Sequence, residues 1–315
     1  MSAVLARTLW ERYEPVHSLV YFAPEARQAA AEAGLRGFWM GYFALRAAPL
    51  GPVGAPVVTS SFYVFPPHHV GRSLPDAWEL ATPADALAAR QHAMDEALTR
   101  LFGRDAVTGA ALTEAADLAW AAAEAADTAG RVLSAANQAL DRPAQPHLRL
   151  WQALTTLREH RGDGHVAVLV SLGLGPVAAM VLKTAAGESD AGLLREIRPW
   201  EPRAWQAAEA ALRVRGWLDG DGALTAAGVA GRADIEARTD AAAAQPWAAV
   251  GADAGARLAT LLEPLAETVL RAGLIPAGNP AGLTGTLWES ARAATARAAG
   301  TGTTGTTSGT SGTSR

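Results

Sequence analysis

The stretches LREHRGDGHVAVLVSLGLGPVAAMVLKTAAG, residues 157–187, and PRAWQAAEAALRVRGWLDGDGALTAAGVAGRADIEARTD, residues 202–240, decide how this chain is read. In the second, a helix closes on Arg215-Gly216 and the apolar pair Trp217-Leu218 comes next. A tight Asp219-Gly220-Asp221-Gly222 turn then leads through Ala223-Leu224-Thr225 into a new helix. Apolar pairs flanking an Asp-Gly turn predict a short β-hairpin, so the outline is that of a winged helix-turn-helix with the hairpin as wing. In the first, a helix from Pro146 is expected to end near Arg161-Gly162-Asp163-Gly164, with Asp163 capping the next over His165–Leu172. Gly173 to Pro176 makes a tight turn, a third helix covers about 177–184, and Pro202–Arg215 takes the recognition position.

Working outward, residues 1–22 read as a helix with Leu5, Leu9, Trp10, Val16, Leu19 and Val20 on one face, and Pro15 is expected to kink or restart it. Residues 24–33 form a short Ala/Glu helix stopped by Gly34. The aromatic stretch GLRGFWMGYFALRAAPLGPVGAP comes after it, with Arg36 and Arg46 ten residues apart. Residues 55–65 carry strand-like composition in a helical setting and are assigned helix. Thr82-Pro83 sets an N-cap with proline at N1 for a helix to about Phe102. Residues 112–140 predict one long Ala-rich helix, and 224–274 two helices broken near Gln245-Pro246-Trp247. From Gly300 the Gly/Ser/Thr repeat cannot bury a core and is expected to be disordered.

With 315 residues, half of them apolar, there is material for two cores. Formal charge is −4, and Lys183 is the sole lysine. That balance neither suggests nucleic acid nor forbids a local basic patch. The absence of cysteine excludes disulfides, thiolate nucleophiles and cysteine metal sites. The N-terminus lacks the apolar region of a secretory signal, and the uncharged run 165–182 is too short and too glycine-broken to span a membrane. The expected location is the cytoplasm.

GHVAVL and RGWLDGDGALTAAG resemble the MarR-like winged helix. The whole of residues 1–283 resembles an actinobacterial helix-turn-helix family related to SalK, found among specialised-metabolism genes. The stretches that carry the resemblance are 10–26, 34–53, 157–170 and 215–247. The resemblance implies a fold and no established activity.

In the usual docking mode the second helix of the motif enters the major groove. The candidate DNA-binding residues are Arg198, Arg203, Arg213 and Arg215. Over 187–215, however, five arginines face five acids, and the expected wing adds Asp219 and Asp221 with no basic residue, so phosphate neutralisation is weak. Trp200 and Trp205 read as core or pocket wall. A winged helix kept as a scaffold or dimer module is as compatible with this pattern as DNA binding.

For a small molecule the candidate residues are Glu14, His17, Tyr21, Arg36, Trp39, Tyr42, Arg46 and His165. Aromatic walls with guanidinium groups suit an anionic or planar ligand, while the plainer reading puts the aromatics in the core and pairs the arginines at the surface. Glu14 and His17 form E-x-x-H, and with His165 they are the ligand set of a mononuclear metal site. A lone short motif interrupted by Pro15 argues against that set. His68-His69 reads as a surface turn. No phosphate loop, dinucleotide fingerprint or nucleophile elbow occurs, and no cofactor is implied.

The resulting expectation is a mainly α protein with an all-α N-terminal domain over 1–142, a MarR-like winged-helix domain over 143–283, and a tail over 284–315. Its expected partners are double-stranded DNA, a small-molecule ligand and a second copy in a homodimer, with no membrane. Its expected function is ligand-responsive transcription regulation. The alternative is an enzyme or binding protein of specialised metabolism, favoured if one closed pocket joins His17 and His165.

Overall fold

Amphipathic periodicity accounts for the first long element of the computed structural model, which describes residues 2–283 and residue 289. Helix α1, Ser2–Phe22, buries Ala6, Leu9, Tyr13 and Val16, a stripe at helical spacing, and runs unbroken through Pro15. The tail expected to be disordered otherwise lies outside the described residues.

Prolines in the first turn and glycines past the last punctuate the helices from Pro24 onward. Helix α2 is Pro24–Glu32, α3 Gly37–Ala47, α4 Ala55–Phe62, α5 Pro67–Val70, α6 Ala77–Leu80 and α7 Pro83–Phe102. Thr82 starts α7 with a complete capping box: its hydroxyl accepts from Asp85 N–H while the Asp85 carboxylate accepts from Thr82 N–H. Short α8, Arg104–Val107, leads into α9, Ala110–Glu124, and α10 is Val132–Gln138. The single Ala-rich helix expected over 112–140 is thus two. Asp127 accepts from Ala129 N–H, Gly130 takes a left-handed conformation, and the Gln138 amide donates to the carbonyls of Ala123 and Ala126. These local bonds satisfy the backbone better than helix would.

Helix α11, Pro146–Ser171, is the axis of the molecule. It is buried on nearly all sides, against α1, α7, α9 and α10 and against α15, Ala226–Ala242. Buried alanines 115, 116, 119, 122 and 123 provide the small contact surface along α9. The break expected at 161–164 does not occur. Gly164 marks a close approach instead of a stop, since a Cβ there would lie 2.7 Å from the Arg131 guanidinium and 3.2 Å from Ala242. Asp163 does not start a new helix in its own segment; its carboxylate accepts from Ser134 N–H, in the first turn of α10, at 2.9 Å.

After the Gly173–Gly175 turn come α12, Pro176–Ala185, α13, Ala191–Ile197, and α14, Pro202–Val214. They close on a core of Leu169, Leu174, Met180, Val181, Leu194, Trp205, Leu212, Leu218 and Ile235. The last two helices are α16, Gln245–Val250, and α17, Ala252–Arg271, which packs along α1.

The predicted β-hairpin wing is absent, and the fold is all-α among the described residues. Between α14 and α15 there is one isolated antiparallel bridge, Leu218 to Leu224, and no strand. The reason is local. The Asp219 carboxylate accepts from Asp221 N–H and Ala223 N–H, which closes the turn immediately. Thr225 caps α15 three residues past Gly222, leaving no length for a ladder. The turn is instead clamped to α15, where a Cβ on Gly228 would fall 2.1 Å from the Trp217 carbonyl oxygen.

Candidate functional site

The most charged part of the interior is a cavity of about 620 Å³, walled by α1, α3, α11, α12, α13, α15 and the segment 276–283. That volume suits a drug-sized ligand. Its floor on the α11 side is an ion cluster. Arg46 donates to both Glu159 oxygens at 3.0 Å, and Arg158 reaches the same carboxylate at 3.0 Å and Glu14 at 3.5 Å. Burial alone would raise the Glu159 carboxyl, but Arg46 and Arg158 outweigh it and hold it below the ordinary carboxylate range. In a second ion cluster Arg232 is 2.5 Å from both Glu188 and Glu236, Arg7 pairs with Glu236 and Asp240, and Arg161 lies 2.7 Å from Asp240. Burial raises Glu236 and these cations overcome it, leaving its carboxyl at about 2.

Aromatic rings from the N-terminal half face these charges. Trp39 meets Tyr42 edge-on at 5.7 Å, Tyr42 lies 5.2 Å from Tyr21, and the Arg46 guanidinium sits 4.0 Å above Phe62. Tyr63, on the same wall, is the one non-glycine residue with positive φ among the described residues, at φ 63° and ψ −57°, and Val64 N–H closes a γ-turn onto the Phe62 carbonyl at 2.7 Å. Such a turn is strained and persists only when its surroundings hold it. Here they do: the Tyr63 hydroxyl donates to the Leu174 carbonyl in the turn after α11, and Trp200 donates to the Val64 carbonyl at 2.9 Å.

Of the eight ligand candidates, Glu14, Tyr21, Trp39, Tyr42, Arg46 and His165 line this cavity. Arg36 does not; it is exposed at the start of α3. His17 does not either. It lies one layer back, beside a void of about 20 Å³, with Nδ1 3.1 Å from the Thr155 hydroxyl and Nε2 3.1 Å from that of Tyr21. His165 bonds the Thr239 hydroxyl at 2.9 Å, and burial lowers its pKa to about 4, so it is neutral near pH 7. The set Glu14, His17 and His165 is therefore not brought together, and among the described residues no group of three His, Asp or Glu side chains is placed to hold a metal. His68 is exposed as expected of a surface turn, but His69 is buried edge-on to Trp39 at 4.6 Å.

The four arginines assigned to DNA divide. Arg203 is exposed on α14. Arg213 lies 3.6 Å from Glu209 and donates to the Asp219 carbonyl, while Arg215 stacks on Trp217 and donates to the Leu172 carbonyl at 2.8 Å. Arg198 is not on that surface at all: it is buried, 8 % exposed, at the end of α13, with its guanidinium 3.7 Å above the Phe65 ring, and it lines the cavity. Sequence reasoning missed Arg158, Glu159, Arg161, Lys183, Arg232 and Glu236 as site residues. The available signal was charge among core positions of α11, where Arg158 and Glu159 directly follow buried Leu154 and Leu157.

The described residues form an all-α bundle around a charged cavity. The chain belongs to a helix-turn-helix family, whose model matches residues 6–276. No curated protein and no solved structure gives a significant match. No single helix among the described residues is long and apolar enough to cross a membrane.

Proposed function

We infer that this protein is a ligand-responsive, DNA-binding transcription regulator whose cavity is the sensor. The observation that carries this reading is the shared wall. Lys183 of α12, Leu194 of α13 and Arg198 face the same space as Tyr21, Trp39 and Tyr42 from the N-terminal half. A ligand filling that space touches the helix-turn-helix and the helical body at once. It acts on DNA affinity to the extent that it favours one arrangement of the two over another. Strained Tyr63, bonded to the Leu174 carbonyl, supplies a contact through which a change in the cavity reaches the turn between α11 and α12.

The DNA side of this reading uses α14, with Arg203, Arg213 and Arg215 at the phosphates; Arg198 is withdrawn from that role. Membership of the family supports DNA as the partner. Kinship to the SalK-related proteins, a homodimer that brings two copies of α14 to one duplex, a cytoplasmic location and division of the chain near residue 142 belong to the same reading. A single closed pocket joining His17 and His165 would favour the alternative of an enzyme or binding protein; the two histidines line different cavities, which takes that support away.

The test is a titration of purified protein against its own upstream duplex and a scrambled duplex at two salt concentrations. Preferential binding that persists at the higher salt supports the regulator. Equal, salt-abolished binding to both duplexes would reduce the motif to a scaffold.

A further inference from the structure

Seven basic side chains line the cavity, and five of them are paired. Arg7, Arg46, Arg158, Arg161 and Arg232 each lie within 4 Å of a carboxylate. Lys183 and Arg198 do not pair among the described residues. Lys183 donates to the Pro280 carbonyl at 2.7 Å, and Arg198 makes a single hydrogen bond, to the carbonyl of Ile197 beside it, at 3.1 Å.

The two differ in how they can relieve an uncompensated charge. Burial lowers the Lys183 ammonium to about 8, within reach of losing its proton near neutrality. A guanidinium has no such exit. Burial lowers Arg198 only to about 10, so it stays charged under any physiological condition. A buried charge without a partner is costly, and a bound anion removes that cost. The surroundings of Arg198 are aromatic: Phe65 lies beneath it, and the Tyr42 and Trp39 rings share its side of the cavity.

We propose that Arg198 anchors the anionic group of the cavity's ligand, and that this ligand is an organic monoanion with a large planar aromatic body seated against Trp39, Tyr42 and Phe62. One permanently charged, unpaired guanidinium matches one charge, while the other lining arginines are already taken up by carboxylates and offer no second free cation of that kind. The cavity volume asks for a drug-sized body. The anchor sits at the C-terminal end of α13, so the anion touches the helix-turn-helix through one side chain. The proposal rests on the cavity being a ligand site, and it names the ligand's class.

The experiment uses two fluorescent probes that differ by one sulfonate, 1-anilinonaphthalene-8-sulfonate and neutral N-phenyl-1-naphthylamine, titrated into the full chain without DNA. The expected result is one anionic probe per chain, bound about ten- to hundred-fold more tightly than the neutral one. Arg198→Met should erase that preference while leaving the neutral probe's affinity within about two-fold; Arg198→Lys should restore part of it and Lys183→Met should keep it. Equal affinities in the unaltered protein overturn the proposal with no variant needed, and leave the cavity as a site for neutral ligands. An anionic preference that survives in Arg198→Met places the probe elsewhere and also overturns it. Failure of both probes to bind stoichiometrically overturns the cavity reading itself. Because no DNA is present, none of these outcomes depends on whether α14 binds an operator.

Discussion

Arginine serves two opposite purposes in this molecule, and its surroundings separate them. Around the cavity Arg46, Arg158 and Arg232 are held at fixed distances by carboxylates, several of them from distant parts of the chain. On and beside α14, Arg203, Arg213 and Arg215 are exposed or half-exposed; Arg213 holds the Asp219 carbonyl and neighbours Glu209, and Arg215 holds the Leu172 carbonyl and stacks on Trp217. The interior set is committed to the fold. The exterior set is free to meet a partner at little cost to stability, because exposed ion pairs contribute little.

The largest effect that would sharpen this contrast is expected from Glu159→Gln. Glu159 is 1 % exposed and is the carboxylate shared by Arg46 and Arg158. Removing its charge leaves two buried guanidinium groups to one carboxylate, Glu14, which reaches Arg158 at 3.5 Å. Breaking a buried pair in this way costs about 3–5 kcal/mol, read as a drop in the denaturant midpoint at unchanged slope. A loss under about 1 kcal/mol would mean that water already screens the cluster.

A pH titration of stability comes next. Burial holds His69, His160 and His165 at about 4 and His17 well below its ordinary value, so all four are neutral when folded near pH 7. Unfolded, they titrate near 6.5. Between about pH 4 and 6.5 the unfolded chain therefore binds more protons, and stability falls as pH falls, by roughly 1.4 kcal/mol per pH unit for each histidine deep in that window. Asp163, raised to about 6 by burial, opposes this between 3.8 and 6 and cancels about one histidine. The melting temperature is expected to drop steeply from pH 7 to pH 5, and His165→Gln should make the drop shallower. A flat profile would show the histidines to be solvated. Lys183 gives the opposite flank: its lowered pKa makes stability rise between about 8 and 10.5.

Local chemistry was legible and long-range pairing was not. Thr82-Pro83 announces α7, Thr225 announces α15, and Pro146, Pro176 and Pro202 open their helices, because caps and first-turn prolines act within four residues. Glycine misled twice. Gly164 in α11 serves a tertiary contact, and the Asp-Gly turn after Leu218 closes without strands because Asp219 satisfies the backbone itself. The aromatic stretch 38–46 reads equally as a ligand wall or as core with surface-paired arginines, and Glu159, which pairs with Arg46, is 113 residues away. No spacing rule spans that distance. Arg198 shows the limit most plainly, since its sequence neighbourhood is that of a DNA contact and only packing turns it inward onto Phe65.

The smallest effect on stability, and the one that isolates function, belongs to the exterior set. Arg203 makes no hydrogen bond or ion pair among the described residues, so Arg203→Ala should change stability by no more than about 0.5 kcal/mol. Arg213→Ala and Arg215→Ala also release the Asp219 and Leu172 carbonyls, which water can take over at the surface, so each should cost only about 1 kcal/mol or less. On the upstream duplex, by contrast, each arginine that meets a phosphate should lower the slope of log affinity against log salt by about one, with little change in sequence preference. If the triple alanine variant keeps both its fold and its salt slope, α14 is not the DNA face. If it keeps its fold and loses the slope, the exposed arginines bind the duplex while the buried ones hold the sensor. Glu209 makes the separation quantitative: it lies 3.6 Å from Arg213 and 3.5 Å from Arg195, so Glu209→Gln should release both for phosphate and strengthen binding several-fold at low salt, an increase that salt then erases.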